Sequence, residues 1–168
     1  METLNGFSKQ FLEQLFYYDD GLLRRKITRT HNALENDAVG SVDGKGYLHV
    51  SVSGSFLRVH RIIFFLLTGE VPKEVDHKDR NKLNNRIDNL RASDRKLNTG
   101  NTGLAKHNTS GLKGASLNSR SGKWHAQIKI DGKQTYLGRF DTAEEAARCY
   151  DAAARAHFGE FAGTNYGD

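Results

Sequence analysis

A single cysteine, Cys149, excludes an internal disulfide and the multi-cysteine zinc ribbons that staple some small proteins, so any metal must sit on oxygen and nitrogen ligands. Long apolar runs are missing too. The longest, Ile62 to Leu67, is far too short to cross a bilayer. The N-terminus lacks the basic-then-apolar pattern of an export signal, and the chain is expected to stay in the compartment where it is made. Acidic residues are absent from 95 to 130, where Arg95, Lys96, Lys106, Lys113, Arg120, Lys123 and Lys129 all fall. That stretch reads as positive surface or as a basic linker, and charge alone does not separate the two. What is present is the composition of a folded protein: 37% hydrophobic, 27% charged, a net charge of +5 and 168 residues, enough for two small domains.

From Phe16 to His60 short apolar or alternating runs are broken by the turn dipeptides Asp20-Gly21 and Ser53-Gly54, the pattern of hairpins. Arg61 to Thr68 reads as a short buried helix stopped at Gly69, with Pro72 beyond. The segment from Lys73 to Arg91 is dense in Asp, Asn, Arg and Lys and is a poor core. Residues 99–110 are rich in turn formers and are expected to be a linker. Beyond it, 112–117, 124–130 and 134–137 read as strands, the last two joined by Asp131-Gly132-Lys133. Asp141-Thr142 then opens a helix with acidic residues in its first turn, running to about Phe158.

The polar segment carries the chemistry. Asp76-His77, Asn84-Asn85-Arg86, Asp88-Asn89-Leu90 and, further on, Asn98 follow one another in an order that resembles the HNH endonuclease motif from about His60 to Asn98. In that family a ββα unit pinches a divalent metal between a strand-borne Asp-His pair and a residue of the following helix. The resemblance implies His77 as general base, Asp76 and Asn98 as metal ligands and Asn89 as the central structural residue. Asn98 stands where many relatives have His. Phosphodiester hydrolysis needs a deprotonated water and a cation to absorb developing charge. An imidazole, with an ordinary pKa of about 6.5, suits the first task. One carboxylate with one amide oxygen is a hard, sparse ligand set that suits a single Mg2+ or Mn2+. The resemblance also implies 3′-hydroxyl and 5′-phosphate products. Arg86 is read either as a phosphate contact or as a structural partner of Asp79 or Asp88. His60 is expected to be a satisfied core or helix-cap histidine.

In the C-terminal third, Trp124, Ala126, Ile128 and Ile130 alternate with His125, Gln127 and Lys129, so one strand face packs and the other presents donors. Ala143, Ala146, Ala147, Tyr150, Ala153, Ala154 and Phe158 recur at helical spacing, a face that lies close against a sheet. Trp124 is expected in the core and Cys149 as a small buried helix residue. Gly111 to Gly114, Gly122 to Ile128, Tyr136 to Ala147 and Tyr150 to Ala153 resemble the plant AP2/ERF domain across nearly all of 111–168. That family reads double-stranded DNA through its sheet. The corresponding positions are Lys113, Ser116, Asn118, Gln127, Lys129, Gln134 and Tyr136, with Arg120 in the nearby turn. Several family arginines are replaced, so different or looser specificity is expected.

The reading is an α+β chain: a β-rich region and ββα-metal unit over 1–98, a linker over 99–110, and a three-stranded antiparallel sheet packed on one helix over 111–168. The expected function is metal-dependent DNA cleavage, targeted by the C-terminal module. The make-up resembles phage and mobile-intron homing endonucleases, which implies work in a bacterial cytoplasm. A monomer with one unit should nick, and a homodimer is one route to double-strand cleavage. The rival is a non-catalytic DNA-binding transcriptional regulator. An RNA binder is disfavoured because Tyr136 stands nearly alone as an exposed strand aromatic.

Overall fold

A computed structural model describes residues 2–28, 30, 31, 33–94 and 100–167. The chain divides into two compact units, Met1–Asp94 and Arg95–Asp168. Among the described residues no helix is long and apolar enough to cross a membrane.

The first unit starts with a small ribbon, β1 (Thr3–Leu4) and β2 (Phe7–Ser8), and a short helix α1 (Lys9–Leu15) capped by the Ser8 hydroxyl, which accepts from the Phe11 N–H. Strands β3 (Phe16–Asp19) and β4 (Leu22–Arg25) form the expected hairpin about Asp20-Gly21, both at positive φ. A three-stranded sheet follows, β5 (Ser41–Val42), β6 (Leu48–Val52) and β7 (Ser55–Arg58), its second turn again the expected Ser53-Gly54. Helix α2 (Val59–Thr68) begins two residues earlier than expected, so His60 lies in its first turn. Its run of large apolar residues is buried on nearly every side, against Leu12, Leu23, Val50, Val52, Leu57, Val75 and Leu90. That is why it tolerates so little polarity, and each such side chain contributes about 1.5–3 kcal/mol. The Arg61 guanidinium donates to the carbonyls of Pro72 and Lys73, bracing α2 against the chain that enters β8 (Glu74–His77). A long polar loop and a 3₁₀ turn at Ile87–Asn89 lead to β9 (Leu90–Ser93), antiparallel to β8 with Asp76 opposite Arg91 and His77 opposite Leu90.

The second unit holds one antiparallel sheet in sequence order, β10 (Ala115–Asn118), β11 (Lys123–Ile130) and β12 (Lys133–Phe140), with helix α3 (Ala143–Phe158) on one face. Small residues set the spacing. Ala115 and Ala126 meet Ala146 and Ala147, while Ile128 meets Tyr150, Ala154 and Phe158. Within the expected start, the helix cap is Thr142, which forms a reciprocal capping box with Glu145. Trp124 and Cys149 are partly rather than fully buried, both against the alanine cluster. Gly114 has to be glycine. Its φ is +78°, and a Cβ would collide with the Tyr150 ring.

Residues 100–110, expected as a linker, lie in the second unit, and several are bonded into it. The Gly163 N–H donates to the Gly100 carbonyl, Asn101 is buried, and Asn108 accepts from the Gly111 N–H. The C-terminal segment is pinned by Asp151, buried at 1% exposure, whose carboxylate accepts from the backbone N–H groups of Asn165 and Tyr166 and from the Asn165 amide.

Candidate active site

Strand β8 alternates, so Val75 and His77 face inward while Asp76 is turned to the flank. Asp76 Oδ2 is held across the ladder by Arg91, at 3.0 Å from Nε and 2.8 Å from Nη2. His77 is only 4% exposed, and its Nε2 lies 3.0 Å from Oδ1 of Asn85, itself 1% exposed. The His60 ring meets the His77 ring edge-on at 4.9 Å, and the Tyr47 ring sits 5.2 Å from His60 and 6.0 Å from His77. Arg58 and Lys82 both lie over the Tyr47 ring, at 4.1 and 4.7 Å. The expectation of a satisfied His60 needs correction, because its Nδ1 is buried without a hydrogen-bond partner. Burial, then the electrostatic effect of the adjacent His77, push its pKa down to about 3, so His60 is neutral.

The loop after His77 is tied from within by Asn89. Its Oδ1 accepts from the Asp79 N–H, its Nδ2 donates to Asp79 Oδ1 and the Asn84 carbonyl, and its own carbonyl accepts from the Lys78 N–H. Burial pushes the Asp79 carboxyl up, but hydrogen bonds from Asn84, the Asn81 N–H and Asn89 outweigh it and hold its pKa below the usual value. Arg86 forms ion pairs with Asp20 at 2.5 Å and Asp88 at 3.5 Å. Of the two alternatives for Arg86, the structural one is occupied, with Asp20 an added partner supplied by the β3–β4 turn. Asn98 lies outside the described residues. Among those described, no three His, Cys, Asp or Glu side chains gather closely enough to hold a metal by themselves.

In the second unit, register places Ser116, His125 and Arg139 in one row, Gln127 and Tyr136 in the next, then Lys129 and Gln134, all on the face away from α3. The His125 and Tyr136 rings meet edge-on at 5.4 Å, and Gln134 Nε2 donates to Gln127 Oε1 at 3.0 Å. Asn118 shares this face, but its Oδ1 accepts from the Arg120 and Ser121 N–H groups and shapes the turn that exposes Arg120. Lys113 departs from expectation. Its ammonium donates to the carbonyls of Gly100 and Gly163 and lies 5.6 Å from the Tyr150 ring, so it braces the unit instead of extending from the sheet.

Residues 57–99 match the HNH endonuclease family model. The chain is 34% identical over 125 residues to an uncharacterized HNH endonuclease of Acanthamoeba polyphaga mimivirus, covering 73% of this chain and 64% of that protein. It is also 36% identical over 107 residues to Protein 3.8 of Escherichia phage T7, covering 62% of this chain and 88% of the phage protein. The chain belongs to the HNH endonuclease family. Its matched span holds α2, the β8–β9 hairpin and the whole loop between them. A C-terminal segment of this HNH endonuclease is similar to plant proteins: 55% identical over 47 residues to an ethylene-responsive transcription factor of Arabidopsis thaliana, and 50% over 46 residues to an APETALA2-like protein of Oryza sativa. Those stretches cover only 18% and 11% of the plant proteins.

Sequence reasoning missed Asn85, which the motif contained but whose burial nothing in a polar loop announces. Strand phase puts His125 on the donor-bearing face, although it is not among the positions matched to DNA contacts. Arg139 was missed, because a bulge between Ala126 and Gln127 shifts the register so that Arg139 pairs with His125, whereas strict alternation from Tyr136 would turn it inward.

Proposed function

We propose that this HNH endonuclease hydrolyses DNA phosphodiester bonds with a divalent metal, with His77 as the base, and is directed to duplex DNA by the sheet of its second unit. The observation that supports it most is His77 itself: an imidazole at a strand end, oriented by a buried amide and backed by a loop that Asn89 ties together. In the reaction, His77 takes a proton from water, the water oxygen attacks phosphorus, and the bond to the 3′ oxygen breaks. The 3′ oxygen then takes up a proton, leaving 3′-hydroxyl and 5′-phosphate ends. Asn89 holds the loop so that the ring stays aimed.

Asp76 and Asn98 are the residues that would hold the metal. The donor chemistry fits a hard ion such as Mg2+ or Mn2+ that keeps several waters, since one carboxylate is available and Arg91 already shares it. When bound, that ion supplies positive charge to the scissile phosphate and the leaving oxygen. The outer face of the second unit presents Ser116, His125, Gln127, Lys129, Gln134, Tyr136 and Arg139, groups that reach phosphates and base edges in a major groove. Tethering such a reader to a nuclease unit raises local DNA concentration. Homing behaviour and work in a bacterial cytoplasm belong to the same proposal, as does the division into a nuclease region over 1–98 and a DNA-binding region over 111–168.

Supercoiled plasmid incubated with the purified chain and Mg2+ or Mn2+ tests the reading. Nicked product that disappears with EDTA is expected. Intact plasmid under every metal, with duplex binding retained, would favour the regulator.

A further inference from the structure

We propose that Asn85 is a positioning residue for cleavage: its Oδ1 accepts the Nε2–H of His77, fixes the ring in that tautomer and makes Nδ1 the nitrogen that takes the proton from water. The inference rests on His77 being the base, as proposed above.

The geometry assigns the two nitrogens. Nε2 faces Asn85 at 3.0 Å, and with Asn85 at 1% exposure that side of the ring is closed to a phosphate. The basic lone pair then has to be on Nδ1, which requires the proton on Nε2 and an acceptor opposite it. An amide offers that acceptor only with Oδ1 turned to the ring. The cost is visible on the other half of the same side chain, where Asn85 Nδ2 is buried with no hydrogen-bond partner. A residue that served only to fill space would bury no unpaired donor, since an apolar side chain of similar size avoids that penalty.

The rest of the surroundings serves the same orientation. The Asn85 N–H donates to the Leu83 carbonyl at 3.1 Å, which anchors the amide's own backbone. The His60 ring closes another side of His77 at 4.9 Å.

The test uses the full chain with 15N-labelled histidine, and the variants Asn85→Leu and Asn85→Asp. Two-bond proton–nitrogen correlation spectra report the His77 tautomer directly, which a merely structural role would not fix. The expected results are an Nε2–H ring in the wild type and loss of that single tautomer in Asn85→Leu. In single-turnover cleavage, Asn85→Leu should slow the step about 10- to 100-fold with unchanged DNA affinity. Asn85→Asp, which keeps the acceptor and discards the unpaired donor, should recover most of the rate. An Nδ1–H ring in the wild type, or full-speed cleavage by Asn85→Leu, would overturn the assignment while leaving His77 as base intact. Full-speed cleavage by His77→Ala would remove both.

Discussion

Acidification should weaken the first unit through His60 before carboxylates begin to matter. His60 is 2% exposed in the first turn of α2, and burial with the adjacent His77 lowers its pKa from 6.5 to about 3. Between those values the unfolded chain holds a proton that the folded chain refuses, so stability rises with pH across the window and falls as pH drops through it. The limiting slope is about 1.4 kcal/mol per pH unit. Going from pH 7 to pH 5 therefore costs about 2 kcal/mol from this one group, a large share of a small domain's stability. The single tryptophan, Trp124, lies in the second unit and is the wrong reporter. Hydrogen exchange of the α2 amides in a urea series, at both pH values, measures the opening free energy where it matters. The His60→Leu variant should lose about 2 kcal/mol less than wild type over the same interval. Equal losses in the two proteins would refute a neutral, buried His60.

Gly114→Ala should unfold or strongly destabilise the second unit, by about 3 kcal/mol or more, because it combines positive φ with overlap on the Tyr150 ring; Trp124 fluorescence in urea reads this. Asp151→Ala leaves the N–H groups of Asn165 and Tyr166 without their buried acceptor and should cost about 3 kcal/mol by the same assay. Arg139→Ala should weaken duplex binding and lower the salt dependence by about one ion, measured by fluorescence anisotropy across a salt series, whereas Lys113→Gln should act on stability of the unit and leave the salt slope alone. Asn89→Ala should slow cleavage by about 10-fold or more, since it releases the loop at Asp79 and Asn84 together, and single-turnover kinetics measure it.

Where local rules act alone, the sequence was readable. The Asp20-Gly21 and Ser53-Gly54 turns and the end of α2 at Gly69 follow from backbone conformations that glycine adopts freely. The inner face of β11 follows from period-two alternation through Ala126 and Ile128. Other features depend on partners distant in the chain. Lys113 reads as a surface cation, yet its ammonium meets carbonyls thirteen and fifty residues away. Arg86 finds Asp20 only because the β3–β4 turn is folded beside the polar loop. The buried pair of His77 and Asn85 is the sharpest case, because a run of Asp, Asn, Arg and Lys signals solvent and gives no hint that one of its amides is enclosed.

The central claim, that His77 is the base of a metal-dependent nuclease, is met most directly by comparing wild type with His77→Ala on one labelled duplex in Mg2+, with cleavage and binding measured on the same samples. The account predicts that cleavage is lost, by about 100-fold or more, while binding through the second unit is kept. Cleavage by His77→Ala at the wild-type rate would contradict it.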